Sequence, residues 1–162
     1  HMIEFTYDLI KNNKLTFEKS NNDHRVVTFH DSCNVARGSN MGNIENGQFI
    51  LPREVINAAC NNFIDMPKNT IKSATFCCGG GGGLLTDDLI DLRIKGAKPR
   101  MHALRKSEQE SGVNTLAAIC AICKSQFSKV LPNYDFDPYM VVSVHQLVSD
   151  AIVLKQTLEQ KN

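Results

Sequence analysis

The sequence has no apolar run that approaches the roughly 20 residues needed to cross a bilayer. It has no stretch with the pattern of a secretory signal. It has almost no net charge: the formal value is +1, which removes the electrostatic case for nucleic acid or an anionic membrane surface as partner. It has no internal repeat. The charged fraction of 22% beside a hydrophobic fraction of 42% is ordinary for a globular protein, so 162 residues suffice for one domain with a real core. His1-Met2 resembles a tag-cleavage scar. The expected organisation is therefore residues 1–24 as that scar plus an N-terminal helical arm, then a single domain over 25–162 that is a fragment of a larger protein.

Cysteine, by contrast, is abundant. Six are present, open to a disulfide, metal or redox reading. Disulfide scaffolds serve small secreted chains with weak cores; here the apolar content supports a core and no export signal is seen, which favours metal or redox chemistry. The most unusual stretch is "FCCGGGGG" (Phe76–Gly83), two adjacent thiols followed by five glycines. Each glycine loses more backbone freedom on folding than any other residue. In return, a backbone without Cβ atoms approaches a bulky group closely and donates N–H bonds to sulfur or an anion.

Periodicity and punctuation give the following order. Ile3 to Lys11 reads as a short amphipathic helix. "RVVTFH" (Arg25–His30) reads as a strand, "GSNMGNIENGQ" as loop, and Pro52 as the first turn of a helix carrying Val55, Ile56, Ala59, Cys60 and Phe63. Lys72 to Cys77 reads as a second strand. Thr86 is a candidate N-cap for a helix over Asp87–Lys95 that Gly96 stops; Pro99 to Glu110 is a further helix closed by Gly112. "VNTLAAI" (Val113–Ile119) is a third strand, and Cys120 starts a helix running to about Leu131. "YMVVSV" (Tyr139–Val144) is a fourth strand, and Gln146 to Glu159 the closing helix. Strand–helix alternation predicts an α/β fold: an open, mainly parallel four-stranded sheet, Rossmann-like, with helices on both faces and right-handed crossovers.

On that map Cys33 lies just beyond the first strand, Cys77 and Cys78 end the second, and Cys120 and Cys123 follow the third. Open parallel sheets bind ligands outside the carboxyl ends of their strands, and five of the six cysteines fall on that edge. Cys120 and Cys123 form a CxxC at a helix N-terminus, where the dipole and free N–H groups favour thiolate. Four thiolates suit zinc or an iron–sulfur cubane; five, two of them adjacent, are easier to place where some bridge two irons in a more open cluster. Cys60 lies on an apolar helix face and reads as a buried structural thiol. His30 and His145, at the ends of the first and fourth strands, read first as imidazoles that satisfy strand-end backbone groups, with proton donation to a departing thiolate as their functional alternative. His24 and His102 read as surface residues. Arg37, Lys95, Lys98 and Arg100 read as solvated charges, with steering of an acidic partner as their functional alternative.

The cysteine order and the phrases "TFHDSCNVARG", "TFCCGGGGGL" and "GVNTLAAICAIC" resemble the cysteine-rich CCG domain of the heterodisulfide reductase family, from about Thr28 to the final helix. Within it the chain is most similar to the iron–sulfur subunit of the membrane complex associated with dissimilatory sulfite reductase and to related menaquinol-linked complexes. The resemblance implies an oxidoreductase acting on sulfur groups, with a noncubane [4Fe–4S] cluster held by Cys33, Cys77, Cys78, Cys120 and Cys123 and lined by Gly79, Gly80 and Gly81. An isolated fragment can also be empty, oxidised or zinc-loaded. The implied substrate is a disulfide or trisulfide, on a small sulfur-carrier protein or a small molecule. The implied partners are a cubane iron–sulfur domain of the parent chain and, indirectly, a membrane quinol-oxidising subunit. This implies a cytoplasmic location, membrane-associated through that partner, in the electron transport of sulfur metabolism and anaerobic respiration. The chain has no CxxCxxCxxxCP run of its own to carry a cubane. The alternatives are an electron-transfer or structural CCG domain of a lactate-, glycolate- or glycerol-phosphate-oxidising complex, and a zinc or disulfide-stabilised binding domain.

Overall fold

The computed structural model describes residues 1–154. Its centre is a parallel sheet of three strands, β1 (Val27–His30), β2 (Thr115–Ala118) and β3 (Val141–Ser143), in the spatial order β1-β2-β3. Val27 pairs with Thr115 and His30 with Ala118, while Leu116 pairs with Val141. Every residue of β1 and β2 is buried, as expected for parallel strands covered on both faces. The period of two divides them between two cores. Leu116 enters one with Ala97, Met101 and Leu104 of α4 (Ile90–Ser111) and Phe127 and Val130 of α5 (Ala121–Val130). Val27, Phe29 and Ala117 enter the other with Ile3 of α1 (Met2–Lys11), Val55 and Ile56 of α3 (Gly47–Ala59), and Val144 and Leu147 of α6 (Val144–Ala151). The short α2 (Cys33–Ala36) follows β1.

The expected second strand, Lys72–Cys77, is absent among the described residues, so the sheet has three strands in place of four and only the parallel α/β character of the expected architecture is retained. Lys72 to Cys77 is instead a 3-10 turn over Lys72–Ala74 followed by irregular chain, with Lys72 at a left-handed φ of 55°. Its polar groups are satisfied by side chains in place of a ladder. The Lys72 N–H donates to Asp31 Oδ2 at 2.8 Å, and the Thr75 hydroxyl donates to the Asp31 carbonyl at 2.7 Å. The outer edge of β1 is met by a brief parallel bridge from Phe63 to Val27.

Three helix boundaries also differ from expectation. Asp87–Leu89 forms a 3-10 turn, and α4 then runs unbroken for 22 residues through Gly96 and Pro99; burial of Arg93, Ala97, Arg100 and Leu104 on one face holds it together where local propensity would split it. Helix α3 starts at Gly47, so Pro52 lies within it. Helix α6 ends at Ala151, because Ile152 bridges Phe17 and the Val153 N–H donates to Thr16 O at 2.8 Å. The remainder of the expected closing helix, 155–159, lies outside the described residues.

Candidate metal centre

The parallel register brings the carboxyl ends of β1 and β2 side by side, His30 against Ala118. Beyond β1 the chain passes Asp31 and Ser32, and Cys33 opens α2. Beyond β2, Cys120 occupies the N-cap of α5 in extended conformation, and Cys123 lies in its first turn. The segment carrying Cys77 and Cys78 is tied to this edge by Asp31. That carboxylate is fully buried and gripped by Arg53, whose two terminal nitrogens each donate to one of its oxygens at 2.8 Å. Asp31 thus joins β1, α3 and the 72–75 turn at one point.

All six cysteines are free thiols; Cys78 and Cys123 are buried, Cys33 and Cys120 half-buried, Cys77 exposed. The thiols of Cys78 and Cys123 and a ring nitrogen of His30 lie within 4.8 Å of one another. Cys77 adjoins this group, its Sγ accepting the Gly79 N–H at 3.2 Å. Hydrogen bonding with the Cys123 sulfur, assisted by burial, pushes the Cys78 thiol up to about 12, although its bond with Cys77 acts the other way. Cys77 is pushed up as well, first by hydrogen bonding with Cys78 and then by burial. Sulfurs so crowded retain protons in the absence of a cation, which is the electrostatic condition that a thiophilic metal relieves.

The glycines divide by role. Gly79 has φ +88°, and a Cβ there would stand 2.3 Å from the Arg93 carbonyl oxygen of α4. A Cβ on Gly80 would stand 3.3 Å from the Cys78 sulfur. Gly81, Gly82 and Gly83 all have left-handed φ, and around Gly82 there is open space. The first two glycines let α4 and the Cys78 thiol close in; the others carry the chain outward. A cavity of about 240 Å³ opens beside Cys77, walled by Gly79, Leu84, Leu89, Leu92 and Arg93.

His30 is fully buried, packed edge-on against Phe127 with ring centroids 4.8 Å apart, and neither ring nitrogen has a hydrogen-bond partner. Burial, with the Arg100 charge adding, holds its pKa well below the usual histidine value, so the imidazole is neutral. Two polar residues of α4 and α5 meet nearby: Arg93 donates through Nε and Nη2 to Gln126 Oε1, at 2.8 and 2.6 Å. That lock leaves the Gln126 amide nitrogen turned toward Gly79 and unpartnered. Arg100, read from the sequence as a surface charge, is fully buried. The signal that could have found it is helical spacing, since Arg93, Ala97, Arg100 and Leu104 recur along the buried face of α4.

Cys33 and Cys120 lie beyond the same strand ends but outside the tight group of donors. The His145 ring bonds the Thr6 hydroxyl of α1 at 3.1 Å, so its Nε2 is engaged away from the sulfurs. Cys60 lies in the other core, with burial raising its thiol to about 11. His24 and His102 are exposed. Two buried thiols, an unpartnered neutral imidazole, an adjacent third thiol and a side-chain-free approach form a donor set that fits a soft, thiophilic metal or iron–sulfur group.

The family model of a cysteine-rich domain, CCG, matches residues 27–128. The chain is 46% identical over 154 residues to an Hdr-like menaquinol oxidoreductase iron-sulfur subunit 2 of Archaeoglobus fulgidus, a match covering 95% of this chain and 26% of that protein. It is 43% identical to the corresponding iron-sulfur subunit of Archaeoglobus profundus, with the same coverage of each. It is 31% identical to a subunit of the dihydromethanophenazine:CoB–CoM heterodisulfide reductase of Methanosarcina mazei, covering 96% of this chain and 34% of that one. The chain thus spans about a quarter of the length of the first two relatives. No solved structure matches. No helix among the described residues is long and apolar enough to cross a membrane. Cysteines gathered at one sheet edge, a family match across that edge and relatives of this kind lead to one conclusion: the chain belongs to the cysteine-rich CCG family, together with the iron–sulfur subunits of heterodisulfide-reductase-like proteins.

Proposed function

We propose that this chain is the cluster-bearing catalytic domain of a heterodisulfide-reductase-like protein, with Cys33, Cys77, Cys78, Cys120 and Cys123 holding a noncubane [4Fe–4S] cluster. The observation that carries the reading is the meeting of Cys78 and Cys123 within 4.8 Å of His30, with Cys77 adjacent in the chain and Cys33 and Cys120 just beyond the ends of β1 and β2. Bound there, the cluster supplies one-electron chemistry and a thiophilic surface for an S–S bond. The chain's own residues arrange access to it. Cys77 is the exposed thiol, and the glycine run beside it leaves the approach bare of side chains. The cavity of about 240 Å³ at Cys77 receives the sulfur substrate. His30 offers an N–H toward the sulfurs from a neutral ring.

The substrate is a disulfide or trisulfide, on a small sulfur-carrier protein or a small molecule, cleaved to thiols with two electrons and two protons per S–S bond. The electrons come from a cubane iron–sulfur domain of the parent chain. The parent works on the cytoplasmic side, joined to the membrane through a quinol-oxidising partner; the names of the Archaeoglobus relatives, menaquinol oxidoreductase subunits, support the quinol link.

The compact His30–Cys78–Cys123 group favours one second reading, a mononuclear zinc site completed by Cys77. Anaerobic reconstitution with iron and sulfide decides between them. The cluster reading expects a full four-iron complement with a non-cubane spectrum, abolished by Cys77→Ser or Cys78→Ser. One tightly held zinc, with no iron uptake after its removal, overturns it.

A further inference from the structure

Arg100 is the largest fully buried side chain among the described residues. A guanidinium stays protonated at neutral pH even where burial lowers its pKa to about 10, as it does here. Buried charges are ordinarily paired, yet among the described residues no carboxylate lies within ion-pair distance of Arg100, although Arg25, Arg53 and Arg105 each have one. Asp31 acts on Arg100 through space, but both its oxygens are already bound by Arg53. The contacts of Arg100 are neutral: Nη2 donates to the Thr70 carbonyl and to the Thr75 hydroxyl, Nη1 lies 2.9 Å from the Met66 sulfur, and its carbon Cζ stands 5.8 Å from the Phe76 ring centre.

The segment that Arg100 braces leads directly into Cys77 and Cys78: Nη2 bonds the Thr75 hydroxyl at 2.9 Å, and the Phe76 ring under its guanidinium belongs to the residue before Cys77. Its charge acts through space on the thiols of Cys78 and Cys123 and on His30. Three buried side chains here also have hydrogen-bonding nitrogens without partners: Arg100 at Nε, His30 at both ring nitrogens, and Gln126 at its amide nitrogen. Buried donors are rarely left unpaired. His30 lies with the Cys78 and Cys123 thiols, the Gln126 amide nitrogen faces Gly79, and Arg100 braces the segment that leads into Cys77; Arg100 and Gln126 can only donate through theirs. The arrangement complements a group rich in acceptors and negative in charge.

We propose that Arg100 is the built-in counter-cation of the sulfur site, compensating its negative charge without ligating it and favouring its reduced form. The proposal rests on the cluster reading above and deepens it. Each electron added makes the site more negative, so a fixed positive charge beside it raises the midpoint potential. A purely structural Arg100 would instead brace the 70–76 segment and leave the potential alone.

The test uses the 162-residue chain reconstituted anaerobically with iron and sulfide, as wild type, Arg100→Gln and Arg100→Lys, with iron content and midpoint potential both measured. At equal iron content, Arg100→Gln is expected to have a lower potential than wild type, with Arg100→Lys recovering most of the loss. An Arg100→Gln protein with full iron and an unchanged potential overturns the proposal. If Arg100→Gln does not fold, Thr75→Val takes its place: it cuts one brace and keeps the charge, so the potential is expected to stay, and a lowered potential overturns the proposal. If the wild type takes up no iron, the cluster reading falls separately. Zinc titrated against a chelator then decides on Arg100, with weaker binding in Arg100→Gln expected and equal binding in all three proteins overturning it.

Discussion

Gly79 and Gly82 belong to one run of five glycines, and the structure assigns them different burdens. Both have left-handed φ, +88° and +72°, so alanine at either position meets a backbone penalty of about 1–2 kcal/mol. At Gly82 nothing else stands within 4 Å of a new Cβ, and the penalty ends there. At Gly79 the Cβ would lie 2.3 Å from the Arg93 carbonyl oxygen and 3.0 Å from both the Ala97 nitrogen and the Gln126 amide nitrogen. Two of these are backbone atoms of α4, so helix or loop must move, which adds about 1–3 kcal/mol of overpacking. Gly79→Ala is therefore expected to lose about 2–5 kcal/mol and Gly82→Ala about 1–2. At about 2–4 °C per kcal/mol for a chain of this size, the first loses roughly 4–20 °C in Tm. Urea unfolding of the metal-free chain, followed by circular dichroism, measures both. Equal losses for the two variants would refute the close approach of α4 to the glycine run; a larger loss at Gly82 would refute the division of roles altogether.

Two further outcomes follow from burial. Cys60→Ala is expected to cost about 1–2 kcal/mol for the lost buried sulfur and to leave iron uptake untouched, since Cys60 packs in the core away from Cys78 and Cys123; iron analysis of the reconstituted variant checks this, and a halved iron content would contradict it. The metal-free chain is also expected to weaken toward acid through His30, whose folded-state pKa is held well below 6.5, first by burial and then by the Arg100 charge. Below about pH 6.5 the unfolded chain binds a proton that the folded chain refuses, so stability is complete above that pH and lost as pH falls. Urea midpoints at pH 5 and pH 8 for wild type and His30→Leu test it, and identical pH dependence in the two proteins would contradict it.

That Cys33 and Cys120/Cys123 share an edge was legible because it depends on topology: residues just past paired parallel strands lie side by side whatever the loops do. Cys78 reaches the same edge without the strand that the sequence suggested, held there by the bonds of its segment to Asp31. The supposed strand at Lys72–Cys77 misled because Thr75 and Phe76 are good strand formers. Its polar groups were claimed by Asp31 and Arg100, 41 to 44 and 25 to 30 residues away, and no local pattern records such partners. Gly96 and Pro99 misled in the opposite direction, since tertiary burial of one face outweighs two weak helix formers in α4. Arg100 was read as solvated because arginine usually is; only its phase along α4 betrays it. Gln126 offered no sequence signal, because its role is set by the grip of Arg93 on its carbonyl oxygen.

The bonds that bring the 70–78 segment to β1 and α4 have a consequence for assembly. Each closes a long loop, from Asp31 to Thr75 or from Thr70 to Arg100, and contacts between residues far apart in sequence form late because chain closure must precede any gain from them. The sulfur donors therefore come together only once these loops have closed. On the proposed function the cluster enters a scaffold that is already folded, and the glycine run beside the exposed Cys77 is a side left bare for it.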